Sequence, residues 1–107
     1  MEKAAAKFYG TYARLGGGNF KEGYYVLTGR PAFDSWTYIL TETTLFERIA
    51  AHDGQGDVMW AGCQNSVNCK AVNLVYAHAY TVFGARNFTD GNGVTWQLYN
   101  VRNPWGY

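Results

Sequence analysis

A glycine-rich turn between two strand-like segments is the feature that most limits the fold. The turn, Asp90-Gly91-Asn92-Gly93, is a strong hairpin signal. Val72 to Arg86, before it, is dense in Val, Tyr, Phe and Thr, and Val94 to Val101, after it, alternates apolar and polar side chains. These segments predict an antiparallel hairpin, and the short apolar run Val58 to Gln64 adds a strand to the sheet.

The first half of the chain favours helices. Residues 4, 8, 12 and 15 are apolar, and this spacing predicts an amphipathic helix from Glu2 to Leu15 that ends at the following glycines. A second helix, Leu45 to His52, is predicted from a capping box formed by Thr44 and Glu47. The fold class is therefore α+β, with two or three helices flanking an antiparallel sheet.

Two segments show no regular period. Phe20 to Ile39 contains short aromatic pieces separated by Gly and Pro, and we expect a long packed loop there. Gln64 to Lys70 is polar and is predicted to be a turn.

Composition narrows the function classes. The 107 residues fit one domain, and nine Lys+Arg against eight Asp+Glu give a net charge of +1, which offers no basic surface for nucleic acid. Aromatic residues at 18% against charged residues at 16% exclude disorder. No apolar run approaches the roughly 18 residues of a membrane span, and no signal peptide is recognisable, so we expect a cytoplasmic protein.

The two cysteines do not form a recognised motif. Cys63 and Cys69 are separated by five residues, which fits neither a zinc knuckle nor a redox Cys-x-x-Cys pair. A local disulfide is conceivable, but without a secretion signal we expect two free, buried, structural thiols. No metal ligands are predicted in this chain.

The two histidines have different settings. His52 falls at the end of the second predicted helix, where an imidazole interacts favourably with the helix dipole. His78 falls within a strand between Ala77 and Ala79, and these small neighbours leave its ring open, as proton transfer requires. From these neighbours alone, a core histidine is favoured over a catalytic one.

Two motifs in the second half resemble the His and Asn motifs of the calpain family of cysteine proteases. They are Leu74-Val75-Tyr76-Ala77-His78-Ala79-Tyr80-Thr81-Val82 and Arg102-Asn103-Pro104-Trp105-Gly106. Upstream segments resemble the same family in the same order, so the likeness covers essentially the whole chain; they are Glu2 to Tyr12, Leu15 to Gly18, Leu27 to Gly29 and Gly62-Cys63. The resemblance implies that residues 1–107 are the second, His/Asn-bearing subdomain of a papain-like protease core, truncated after the Asn motif, with the nucleophile-bearing subdomain absent.

The resemblance also implies roles. His78 would be the general base and acid, paired with a cysteine thiolate. Asn103 would accept a hydrogen bond from the other ring nitrogen, and Trp105 would shield that bond from water. The partner would be the nucleophile-bearing subdomain, the substrates proteins, and the intermediate a thioester, so the chain alone would be inactive. Calcium is implied for the intact protease, without ligands in this chain.

Two positions depart from the family pattern, and two other functions stay open. The family usually has Gly where this chain has Ala77, and an acidic or polar residue where it has Tyr107. The first alternative is a catalytically silent calpain-like module for protein interaction. The second is an aromatic-rich β domain that binds carbohydrate or peptide through exposed Tyr and Trp. A truncated sheet would also expose an edge strand, so we expect the isolated chain to be marginally stable or to self-associate.

Overall fold

The structure is a computed structural model that describes residues 1–106, in two compact units. The first unit, Met1–Trp36, begins with helix α1, Glu2–Tyr9. This helix ends at Gly10, whose φ of 94° is left-handed and favours glycine. A separate 3-10 helix then covers Tyr12–Leu15. The predicted helix from Glu2 to Leu15 is therefore correct in its first two turns and wrong beyond Gly10.

Helix α2, Phe20–Thr28, occupies the segment predicted to be a loop. Its first turn is capped by Asn19, whose side chain accepts the Lys21 N–H at 2.9 Å. Its last turn is closed by Gly29, whose N–H donates to the Tyr25 carbonyl at 2.8 Å. The loop prediction was wrong over these residues. It relied on the irregular apolar pattern, whereas the helix is determined mainly by the cap residues at its two ends.

The second unit begins at Thr37 with a short 3-10 helix, Thr37–Ile39, and continues with helix α3, Glu42–Gln55. The second predicted helix is thus confirmed, but it is longer at both ends. Thr41 is the N-cap, and its hydroxyl oxygen accepts the Thr44 N–H at 3.1 Å. Thr44 therefore lies inside the helix and does not begin a capping box.

The second unit contains a three-stranded antiparallel sheet, as predicted, in the order β1-β2-β3. The strands are β1, Met59–Cys63; β2, His78–Thr89; and β3, Thr95–Arg102. Asp90 fixes the turn between β2 and β3 because its Oδ1 accepts the N–H groups of Asn92 and Val94. Its Oδ2 accepts the indole N–H of Trp96 at 3.1 Å, so the predicted hairpin is confirmed at its turn.

A short helix, α4, Ser66–Ala71, connects β1 to β2. A polar turn was predicted here, and that prediction was wrong because the Asn65 side chain accepts the N–H groups of Val67 and Asn68 and begins a helix. The linker from residue 72 to residue 77 then leads into β2. His78 is the first residue of β2, so it lies at a strand end instead of mid-strand.

The core of the second unit lies between α3 and the sheet. Phe46 of α3 is buried and packs edge-on against Tyr99 of β3, and Tyr80, Val82 and Ala85 of β2 are buried with it. A bulge interrupts the pairing of β2 with β3 between Val82 and Gly84. All eight residues of β3 are exposed. The described residues include no helix with the length and apolar character of a membrane span.

At the bulge, Asp53 of α3 packs directly against Gly84. Gly84 has a φ of 144°, and a Cβ there would overlap the Asp53 carboxylate. The same carboxylate lies 3.5 Å from the Arg86 guanidinium. A glycine is therefore required where α3 crosses the bulge.

Candidate catalytic site

The sheet brings His78 and Asn103 together although they are 25 positions apart. Thr81 of β2 pairs with Arg102 of β3, so the beginning of β2 and the residue after β3 lie at the same end of the hairpin. Nε2 of His78 lies 2.9 Å from Oδ1 of Asn103. Both side chains are half-buried. The two residues singled out by the sequence therefore contact each other directly.

The direction of this hydrogen bond follows from a second one. The backbone N–H of Trp105 donates to the same Asn103 Oδ1 at 3.0 Å, which identifies that atom as the amide oxygen. Because an amide oxygen only accepts, His78 must donate through Nε2. The neutral imidazole therefore has its lone pair on Nδ1, and no group among residues 1–106 makes a hydrogen bond to that nitrogen.

Two aromatic rings contact the imidazole. The Trp105 ring lies against it, with centroids 4.0 Å apart and planes tilted by 41°. Tyr80 meets it edge-on at 5.1 Å, and the Tyr80 hydroxyl accepts the Val75 N–H at 2.8 Å. Tyr80 thus contacts both the imidazole and the linker that precedes it. The sequence motif identifies Tyr80 only as an aromatic residue near His78. Its hydrogen bond to Val75 is apparent only from the fold.

An open hollow of about 340 Å³ adjoins Asn103. Its lining includes Tyr80 and Asn103, together with Val101, Arg102 and Gly106. The Asn103 side of the pair is therefore open at this end of the sheet.

The cysteines form a disulfide, Cys63–Cys69, so the prediction of two free thiols was wrong. Helix α4 turns the chain back on β1 and brings the two Cα atoms to 5.8 Å, within the range that a disulfide spans. Cys69 is fully buried, as expected for a structural residue. Neither cysteine has a free thiol, and neither is available as a nucleophile in this state.

His52 has the setting predicted for it, in the last turn of α3. Its Nδ1 lies 2.7 Å from Oδ2 of Asp57, and both side chains are about half exposed. The two histidines therefore differ as the sequence indicates: one is a surface residue at a helix end, and the other belongs to a side-chain cluster.

No set of three or more His, Cys, Asp or Glu side chains within residues 1–106 is grouped to hold a metal ion. The second departure from the family pattern, Tyr107, lies outside the described residues. The first departure, Ala77, is exposed and has a left-handed φ of 51°. That conformation explains why glycine suits this position.

Comparison with known proteins identifies the class as cysteine proteases. The family model described as calpain family cysteine protease matches residues 1–107, and the chain belongs to the calpain family. It is 36% identical to the calpain-2 catalytic subunit of Homo sapiens and 35% identical to that of Gallus gallus, each over 99% of the chain. It is 33% identical to the calpain-1 catalytic subunit of Homo sapiens, also over 99% of its length. The chain spans 15–16% of the length of these relatives.

Proposed function

We propose that this chain supplies the general acid–base histidine and its orienting asparagine to a calpain-type cysteine endopeptidase. The observation that carries the proposal is the 2.9 Å bond between His78 Nε2 and an Asn103 oxygen that also accepts the Trp105 N–H. This geometry directs the unshared pair of the imidazole, on Nδ1, away from Asn103. A general base requires such an accessible nitrogen.

In the proposed reaction, Nδ1 of His78 takes the proton of a cysteine thiol from a second subdomain. The thiolate attacks the peptide carbonyl carbon, and the imidazolium gives its proton to the departing amine as the carbon–nitrogen bond breaks. The product is a thioester. Nδ1 then takes a proton from the water that attacks the thioester carbonyl carbon. The carbon–sulfur bond breaks, the acid is released, and the imidazolium returns the proton to the departing thiolate.

Asn103 and Trp105 act on the imidazole and not on the substrate. The Asn103 oxygen keeps the proton on Nε2 and fixes the plane of the ring, and it stabilises the imidazolium that forms during the reaction. Trp105 covers one side of the ring and limits the access of water to the Nε2–Oδ1 bond. We propose the same shielding role for Trp105 that the resemblance implies.

Without the nucleophile-bearing subdomain the isolated chain should be inactive, and in the oxidised state its own two cysteines are joined to each other. We propose that the thiol comes from the nucleophile-bearing subdomain of the intact enzyme, that its substrates are proteins, and that the enzyme is cytoplasmic. Calcium dependence is proposed for the intact protease on the family relationship alone.

The test is a chimera in which this chain replaces the aligned segment of the human calpain-2 catalytic subunit. With calcium present, we expect the chimera to cleave casein, and we expect His78→Ala to abolish cleavage. His52→Ala is the matched control, since it removes an exposed imidazole from the end of α3, and it should retain activity. The purified chain by itself should cleave neither casein nor a fluorogenic peptide.

Three results would contradict the proposal. Cleavage by the His78→Ala chimera would show that His78 is not the general base. Turnover by the pure chain would show that a nucleophile is present in these residues. A chimera that folds, as judged by its thermal transition, but does not cleave would favour the silent interaction module.

A further inference from the structure

We propose that the Cys63–Cys69 disulfide is a reversible redox site that controls how firmly the linker into His78 is held. Cys63 is the last residue of β1 and pairs with His78, the first residue of β2. Paired residues of antiparallel strands have side chains on the same face, so the disulfide lies beside the imidazole. Opening the disulfide would act directly on the surroundings of His78, whereas any effect on catalysis rests on the proposed function.

Both half-cystines also hold the linker through their backbone carbonyls. The Cys69 carbonyl accepts the Leu74 N–H at 2.8 Å, and the Cys63 carbonyl accepts the Ala77 N–H at 2.8 Å. The disulfide therefore fixes the distance between the two points to which the linker is attached. Opening it frees α4 to move relative to β1 and carries one attachment point with it.

The linker contains a strained backbone conformation that can relax when the linker is released. Ala77 has a φ of 51°, which is unfavourable for alanine, whereas Asn73 has a φ of 57°, which asparagine tolerates better. Such a conformation persists only while its surroundings hold it. Loss of the Ala77 bond would let the residue before His78 return to a negative φ and turn the imidazole away from Asn103.

The redox step is a thiol–disulfide exchange with a small dithiol. A dithiol thiolate attacks the Cys63 sulfur, which is the accessible one because Cys69 is fully buried. The Cys63–Cys69 bond breaks, and Cys69 leaves as a thiolate that takes up a proton. The second thiol of the reagent then displaces Cys63 and forms the cyclic disulfide. The dithiol loses two electrons, and the protein gains two thiols.

The reverse reaction requires a disulfide oxidant such as oxidised glutathione. In a reducing compartment, disulfides of ordinary proteins are mostly transient or redox-sensing. A cytoplasmic location, as proposed above, would therefore make both states of the pair accessible.

The experiment is amide hydrogen exchange by NMR on the full chain, oxidised with glutathione disulfide and then reduced with dithiothreitol. We expect exchange at Leu74 and Ala77 to rise at least about tenfold on reduction, while the β2–β3 amides from 84 to 89 change less than about twofold. The Nε2–H resonance of the His78 ring should be visible in the oxidised chain and should be lost to water exchange in the reduced one.

The double variant Cys63→Ala/Cys69→Ala is the matched control. It should show the exchange pattern of the reduced chain with or without dithiothreitol. Unchanged protection of Leu74 and Ala77 on reduction would overturn the proposal. Loss of protection throughout β2 and β3 would also overturn it, since the disulfide would then support the whole unit, and so would thiols that stay free after oxidation.

These readouts do not depend on proteolysis. If the redox response is seen but the His78→Ala chimera still cleaves casein, the proposed function fails and the redox site stands. If the chimera behaves as expected but exchange is insensitive to reduction, only the redox site fails.

Discussion

Replacing Asn103 with Ala tests how much the imidazole depends on its partner. The change removes the oxygen that lies 2.9 Å from His78 Nε2 and 3.0 Å from the Trp105 nitrogen. A hydrogen bond to a charged group contributes about 1.5–3 kcal/mol, and the imidazole is charged during the proposed reaction. Since about 1.4 kcal/mol corresponds to a tenfold change in rate, kcat should fall about 10- to 100-fold.

The assay is steady-state cleavage of a fluorogenic peptide by the calpain-2 chimera described above. Asn100→Ala is the matched control because Asn100 lies on β3 opposite Gly84, is exposed, and makes no side-chain hydrogen bond within residues 1–106. Asn103→Asp keeps an acceptor oxygen and should recover part of the lost rate. The reasoning would be refuted if Asn103→Ala matched Asn100→Ala, or if Asn103→Asp were no better than Asn103→Ala.

Three further changes test the fold around the site. Gly84→Ala adds a methyl group against the α3 carboxylate at a left-handed φ, and it should lower the free energy of unfolding in urea by about 2–3 kcal/mol. Gly62→Ala, where a Cβ meets no atom closer than 3.7 Å, should cost clearly less, and an equal loss would contradict the packing argument. Hydrogen bonds, of which the one from the Trp96 indole has the largest effect, lower the pKa of Asp90 from its usual value of 3.8. The ionised Asp90 carboxylate therefore stabilises the folded chain fully above that pH, and this stabilisation is lost as acid protonates the folded carboxylate. Thermal melting from about pH 5 to about pH 2 should show this acid loss in the wild type and less of it in Asp90→Ala. Ala77→Gly should raise the free energy of unfolding by about 0.5–1 kcal/mol, and a decrease would show that φ 51° carries no strain.

The hairpin was predictable because its signals are local. The Asp90 turn and the alternation after it determine the strand pair without help from the rest of the chain. The predicted boundaries are accordingly close to those of β3, Thr95–Arg102. His78 and Asn103 were identified from their motifs, and the hairpin explains why residues so distant in sequence meet.

The two missed helices had weaker local signals. Helix α2 contains Gly23 and no clear apolar stripe, and the residues that indicate it are its caps, Asn19 and Gly29. Helix α4 has only six residues, too few to be stable by itself, so its cap and its disulfide to β1 hold it in place. The disulfide could not be predicted from spacing, since it depends on the turn that α4 makes.

The bulge in β2 determines whether Asn103 lies on the same face of the sheet as His78. In the pairs from Thr89–Thr95 to Gly84–Asn100, the two residue numbers add to 184. In the pairs from Val82–Val101 onward, they add to 183. This shift of one places Asn103 level with Tyr80, two residues from His78 and therefore on the same face. If Phe83 paired with Val101 instead of forming the bulge, Asn103 would be level with Thr81, whose side chain faces the other way.

Two variants separate this register effect from the bulge itself. Inserting one Ala between Arg102 and Asn103 moves Asn103 level with Ala79 and to the opposite face, so the chimera should lose activity about as much as Asn103→Ala, about 10- to 100-fold. Inserting one Ala between Asn100 and Val101 removes the bulge by giving Phe83 a partner, but it keeps Val101 opposite Val82 and should retain the His78–Asn103 bond. The Nε2–H resonance of His78 should persist with the insertion before Val101 and disappear with the insertion before Asn103. Equal activity in the two variants would show that strand register does not position Asn103.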